Sequence, residues 1–347
     1  MNLNIKKQII EVNIIRPLLI CVLLIMYHAF APFGDSEAWN IEGVSRIEAY
    51  YWLDKFVYSF MLESFVFISG YVFAFQIAEN KVNSFKVLLI GKVRRLIIPS
   101  VVFSILYAIF FYDKQIELMH FIYDILNGLG HMWFLPMLFW CFLAAFFIEK
   151  IKVRELLKLV LLFLLSLFSF FPLPFQLGQT CYYLFFFYAA MIVFHNKERL
   201  VNSSHLSLTI VVFVSVFFIS FVCCTILRER IIAYHPVMIE ERIIKMFLYK
   251  STMLIYSSFG VLSFYLAAIK ISRGYINCSC RLLLLNKLCM GIYIAHQFIL
   301  MSLYFHTDIS ILVNPYWLPW AGYVIALVLS TLFAYLVRLT PIGRWLI

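Results

Sequence analysis

Apolar residues along this chain gather in long unbroken runs, not in the two-residue alternation of a half-buried strand or the striped pattern of a surface helix. Ten runs stand out: Ile14–Phe30, Phe56–Ile77, Ile97–Tyr112, Met132–Ile148, Leu156–Phe171, Cys181–Phe194, Leu208–Ile226, Thr252–Ile269, Leu282–Tyr304 and Trp317–Val337. Each approaches the roughly 20 residues that cross a hydrocarbon layer of about 30 Å as a helix, and charges or turn residues separate them. A β-barrel wall would need short alternating segments, whereas these runs are apolar on every face. The pattern predicts an all-α, polytopic membrane bundle of about ten transmembrane helices. It is expected to form one domain over residues 1–347, with no appended soluble domain.

Composition agrees: 64% of the 347 residues are hydrophobic and 13% charged, outside the range of soluble globular domains. With the N-terminus placed in the cytoplasm, ten crossings return the C-terminus there. Of the 28 Lys and Arg, 20 then fall on the cytoplasmic side, including Lys81, Lys86, Lys92, Arg94, Arg95, Lys150, Lys152, Arg154 and Lys158. Twelve of the 18 acidic residues fall outside, among them Asp35, Glu37, Glu42, Glu48 and Asp54, although the orientation rule itself rests on Lys and Arg. The net charge of +10 is thus a topology signal, and no single basic domain supports a nucleic-acid partner. A signal peptide is the alternative for residues 1–31, since Lys6 and Lys7 precede an apolar run ending in "AFA". The run is long for such a segment, and Arg16-Pro17 stands where it would begin. The eight cysteines lack metal-site spacing and read as small buried hydrophobes. No metal, repeat or glycine-rich phosphate loop is expected.

Ionisable residues inside a spanning bundle are costly and therefore candidates for function. His28 lies near the outer end of the first run. Glu63 lies in the second, about seven residues or roughly 10 Å from its outer start. If they meet, the carboxylate would orient the imidazole as a general base; otherwise His28 caps a helix end and Glu63 bonds a serine or tyrosine. On the other side, "KVRRLIIP" supplies Lys92, Arg94 and Arg95, and Arg16 precedes Pro17. Guanidinium groups suit phosphates, but the positive-inside rule predicts the same cations without a ligand. A base on one side and an anion patch on the other fit group transfer across the membrane, and fit a proton-coupled carrier equally.

In order along the chain, "IIRPLLICVLLIMYH", "LESFVFISGY", "VRRLIIP", "GHMWFLPMLF" and "LCMGIYIAHQFIL" resemble the integral-membrane acyltransferase family 3, whose bacterial members O-acylate surface glycans. The resemblance implies transfer from cytoplasmic acyl-CoA, most often acetyl-CoA, to a hydroxyl of a glycan or lipid-linked glycan reached from the other face. It implies His28 as base with Glu63 beside it, and Arg16, Arg94 and Arg95 on the donor. Ser69, Tyr71, Trp133 and His296 fall in the matching motifs. Ser69 and Tyr71 could stabilise an oxyanion, although Ser69-Gly70 also suits helix packing, and His296 reads as structural.

Two departures from the family pattern stand out. Arg16 and His28 are twelve positions apart where the family has eleven, which turns them from roughly 20° to roughly 120° apart on a regular helix. Pro17 would relieve this by leaving Arg16 outside the helix. The Ser-x-x-x-Glu-Glu pattern of the lipopolysaccharide-modifying branch is also missing. These features give an O-acetyltransferase of surface polysaccharide in a bacterial inner membrane as the leading expectation. A transporter or flippase of glycan precursors is the alternative, and a purely structural membrane partner comes third. "EERIIKMFLYK" is expected to lie as an amphipathic helix on the membrane surface.

Overall fold

The computed structural model describes residues 9–34, 41, 44, 46–111, 118–171, 173–201, 204–274 and 278–346. Lys6, Lys7, Asp35, Glu37 and Glu42 lie outside the described residues. Within them the chain is helical and contains no strand. Nine helices are long and apolar enough to span a membrane: α1 (Ile10–Phe33), α2 (Glu48–Ala78), α3 (Phe85–Phe111), then, after the shorter α4 (Leu118–Asn127), α5 (Gly130–Lys150). After α6 (Glu155–Leu167) come α7 (Leu177–His195), α8 (Leu206–Ala233), α9 (Ile239–Ser272), α10 (Cys280–Phe305) and α11 (Leu318–Leu339). A last helix, α12, covers Pro341–Leu346.

The expected crossing at Leu156–Phe171 is the one that falls short. Its helix, α6, ends at Leu167, 13 residues long and about 20 Å at 1.5 Å per residue. The following "FSFFPLPF" stretch carries two prolines, which cannot supply the amide hydrogens a longer helix needs. The segment still runs antiparallel to α7. Tyr188 donates to Glu155 at 2.5 Å at one end, Phe163 meets Phe185 midway, and the Phe171 carbonyl faces Gly178 at the other.

The segment "EERIIKMFLYK" does not lie apart on the surface. Nothing in it breaks a helix, and it forms the first turns of the continuous 34-residue α9.

Burial sorts the helices by role. The apolar windows of α8 and α11 are only 22% buried and turn their side chains outward to lipid, whereas those of α1, α2, α5, α9 and α10 are 61–72% buried. Every residue of the site described below comes from this inner set, from α3, or from the basic end of α11 and α12. Close approach of α2 to α7 depends on Gly70, where a Cβ would stand 2.1 Å from the Phe187 carbonyl oxygen. Near Ile10, the buried Glu11 accepts from Tyr71 at 2.6 Å and pairs with Lys197 at 2.5 Å, tying α1, α2 and the connection after α7 together.

Both described ends of the chain lie at the same end of the bundle. Arg16 of α1 and Arg344, Trp345 and Leu346 of α12 line one cavity.

Candidate active site

The irregular part of α1 decides how its two polar residues stand. Pro17 is buried inside the helix and does not leave Arg16 outside it. The residues that follow, Leu18–Leu24, form a π-helical segment with wider turns before regular α-helix resumes at Ile25. A π-turn accommodates about one residue more than the α-turn it replaces. Twelve steps therefore act as about eleven, and Arg16 and His28 return to one face.

Arg16 opens onto a cavity of about 550 Å³. Six cations line it: Arg16, Arg94, Arg95, Lys287, Arg338 and Arg344, with no acidic side chain among the lining residues. Arg16 is held by Asn286 at 3.0 Å, and Asn286 is in turn bonded to Asn13. Above the cations the lining becomes apolar, with Leu19, Ile20, Phe65, Ile68, Leu135, Leu138 and Met290.

His28 lines a second cavity, of about 240 Å³, with Tyr58, Tyr107, His131, Trp133 and Gln297. Phe134 and Tyr293 line both cavities and so mark where they meet.

The hydrogen bonds around His28 fix its tautomer. Nδ1 of His296 stands 2.7 Å from the Tyr293 carbonyl and 3.2 Å from that of Ile292. Carbonyl oxygens only accept, so this nitrogen carries the proton and Nε2 of a neutral His296 is an acceptor. That Nε2 is 2.9 Å from Nδ1 of His28, which must therefore donate. In neutral His28 the lone pair is left at Nε2, the nitrogen suited to take a proton.

A third imidazole belongs to the same group. The ring of His131 lies 5.1 Å from that of His296 and 6.3 Å from that of His28, centroid to centroid. Its Nε2 donates to the Ile294 carbonyl at 3.1 Å, its backbone N–H donates to Oε1 of Gln297 at 2.9 Å, and its carbonyl accepts from the Tyr293 hydroxyl. Gly130, at φ +57°, supplies the left-handed turn that sets His131 at the head of α5. Among the described residues no three His, Cys, Asp or Glu side chains are grouped to hold a metal; Nδ1 of His28, both nitrogens of His296 and Nε2 of His131 engage one another or backbone carbonyls, while Nδ1 of His131 is buried with no hydrogen-bond partner.

A family model described as the acyltransferase domain matches residues 10–339. The chain belongs to acyltransferase family 3. No curated protein and no solved structure matches it significantly. The match covers every spanning helix, so the two cavities belong to a multi-pass membrane acyltransferase.

This acyltransferase does not pair His28 with Glu63. Oε1 of Glu63 accepts from Tyr182 at 3.0 Å and Ser257 at 3.2 Å, on the side of α2 that faces α7 and α9. The reason is register. Leu62, Phe65 and Ser69 share the face that lines the two cavities, and Glu63 is one step, about 100°, around the helix from Leu62.

Tyr71 is likewise turned away, onto Glu11. Ser69 lines the basic cavity with its hydroxyl bonded to the Phe65 carbonyl at 2.9 Å, and Trp133 lines the His28 cavity. Arg94 and Arg95 line the basic cavity. Lys92 instead sits 3.3 Å over the Phe142 ring.

Among the cavity residues that carried no reading of their own in the sequence are His131, Lys287, Arg338 and Arg344. His131 followed two turn glycines in "GLGHMW" and could have been noticed. Lys287, Arg338 and Arg344 looked like ordinary positive-inside charges.

Proposed function

We propose that this acyltransferase moves an acyl group, most simply acetyl, from cytoplasmic acyl-CoA to a hydroxyl of a surface polysaccharide or its lipid-linked precursor. One observation carries the reading: a cavity with cations at one end and an apolar shaft above them meets, at Phe134 and Tyr293, the cavity that holds His28. A donor with a polyanionic head, a long neutral arm and a reactive carbonyl at its tip matches that sequence of environments. From Arg16 to His28 the helix rises roughly 18 Å at 1.5 Å per residue, a distance suited to such an arm.

In the reaction, Nε2 of His28 accepts the proton of the acceptor hydroxyl as its oxygen attacks the thioester carbonyl. The C–O bond forms, the tetrahedral oxyanion collapses, and the C–S bond breaks. The thiolate leaves with the proton that His28 held, so ester and free CoA are the products. His296 holds the base in the right tautomer, a role it shares with the orienting residue of a catalytic triad.

The cation-rich end, which also carries both described chain ends, is taken as cytoplasmic, in a bacterial inner membrane. Transport of a glycan precursor remains the second reading. It draws on the break in α2 at Ser59–Phe60, where Phe60 adopts φ −144° and ψ −7°.

The test uses purified protein in proteoliposomes with radiolabelled acetyl-CoA and candidate glycan acceptors. Wild type is expected to label the glycan and His28→Ala to label none. Equal labelling by His28→Ala removes the base from its role. Glycan movement across the bilayer without acyl transfer, unaffected by His28→Ala, would favour the transporter.

A further inference from the structure

The basic cavity contains one feature that phosphate binding leaves unexplained. Trp345, on α12, lines its wall beside Arg344 and Arg338 and is 43% exposed. The Arg94 guanidinium lies 5.1 Å from the centre of its ring. The other aromatic residues of this cavity, Phe65, Phe134 and Tyr293, line it together with its apolar residues or where it meets the His28 cavity. Trp345 is thus an indole set among cations, with its ring only partly covered.

We infer that Trp345 is the stacking surface for the purine base of the donor nucleotide, so that α12 forms the nucleotide-reading wall of the site. Six cations gathered on one cavity wall suit a ligand with several phosphate charges. A planar indole among them calls for a flat π-system attached to those phosphates. A purine nucleotide joins both features in one molecule, and every base offers a face for stacking. Arg94 has two roles in this arrangement: from over one face of the ring it holds the indole, leaving the other face for the base, and it presents charge to the phosphates. An interfacial tryptophan that only anchors the helix in the headgroup region would not need a position on this cavity wall.

This inference rests on the acyl-CoA reading, and binding separates the two. Purified protein in nanodiscs is titrated with CoA and with adenosine 3′,5′-bisphosphate, comparing wild type, Trp345→Phe and Trp345→Leu. The comparison is made on variants whose ligand-free melting temperature matches wild type. Trp345→Leu is expected to weaken both ligands by roughly 5- to 150-fold, the scale of losing one base–aromatic stack. Trp345→Phe, which keeps a ring, is expected to retain most of the affinity.

Wild-type affinity in Trp345→Leu, or equal losses in the Leu and Phe variants, overturns the stacking role and leaves the acyl-CoA reading standing. Failure of wild type to bind CoA overturns that reading, and this inference with it.

Discussion

At the scale of single residues, the pair that matters is His28 with His296, where a carboxylate had been expected. Because His296 Nδ1 is tied to the Tyr293 carbonyl, its Nε2 can only accept from His28. His296→Ala is expected to lower kcat toward the roughly 10²- to 10⁴-fold loss of removing the base itself, with KM for acyl-CoA unchanged. His296→Gln, whose amide can accept from His28 in the same place, should recover part of the rate. A KM that rises with the kcat loss, or no recovery by Gln, would make His296 a packing residue only.

Glu63 has the opposite expectation. It accepts two hydroxyl hydrogen bonds between α2, α7 and α9. Glu63→Ala should destabilise the fold by about 1–3 kcal/mol, because Tyr182 loses its buried acceptor while Ser257 keeps the Ser59 carbonyl. Glu63→Gln keeps an acceptor and should preserve both melting temperature and acyl transfer. Loss of transfer in Glu63→Gln at an unchanged melting temperature would return the carboxylate to the chemistry.

At the level of the element, the π-helical segment of α1 sets the register of the site. Arg16 and His28 face one way only because Leu18–Leu24 absorbs one residue. Deleting Val22, a half-buried member of that segment, should let the helix close into regular α-helix with an eleven-step spacing and leave acyl transfer largely intact. Inserting one alanine after Val22 has no such outlet. It should turn Arg16 about 100° from His28 and abolish transfer, with the protein still inserted in the membrane. Radiolabelled acetyl transfer by the two variants measures the difference, and the reverse order would show that the segment does not set the register.

The mismatch itself was legible as a count along the sequence, but its resolution was not. A π-turn has no residue signature comparable to a cap or a turn glycine, and Pro17 suggested a different remedy. Glu63 failed for a related reason: helix position fixes depth in the membrane to within a turn, while one residue of rotation decides which neighbour a side chain meets. The histidine partner of His28 lies 268 residues away in sequence, beyond any local pattern.

At the scale of the whole molecule, the architecture was the most legible feature, because in a membrane the solvent dictates it. Backbone groups in hydrocarbon must bond internally, so long apolar runs become helices and a bundle follows. Only α6 fell short of the expected crossing.

Two exposed positions at opposite ends of the bundle give orientation a direct test. Cys280 is exposed at the start of α10, at the same end as Asn286 and Arg16. Val237 is 86% exposed in the turn between α8 and α9, where Lys245 caps the end of α8 through the Ile232 and Tyr234 carbonyls. That turn lies one helix length from the Arg16 end. Maleimides react with the thiolate form of cysteine, which needs water, so Cys223 on the lipid-facing side of α8 contributes little signal.

With the cation-rich end in the cytoplasm, a membrane-impermeant maleimide should label Val237→Cys, in a Cys280→Ser background, in intact cells. It should label the native Cys280 only after permeabilisation. The opposite pattern would place the six-cation cavity outside, away from any pool of acyl-CoA. It would then remove the donor route on which the proposed transfer depends.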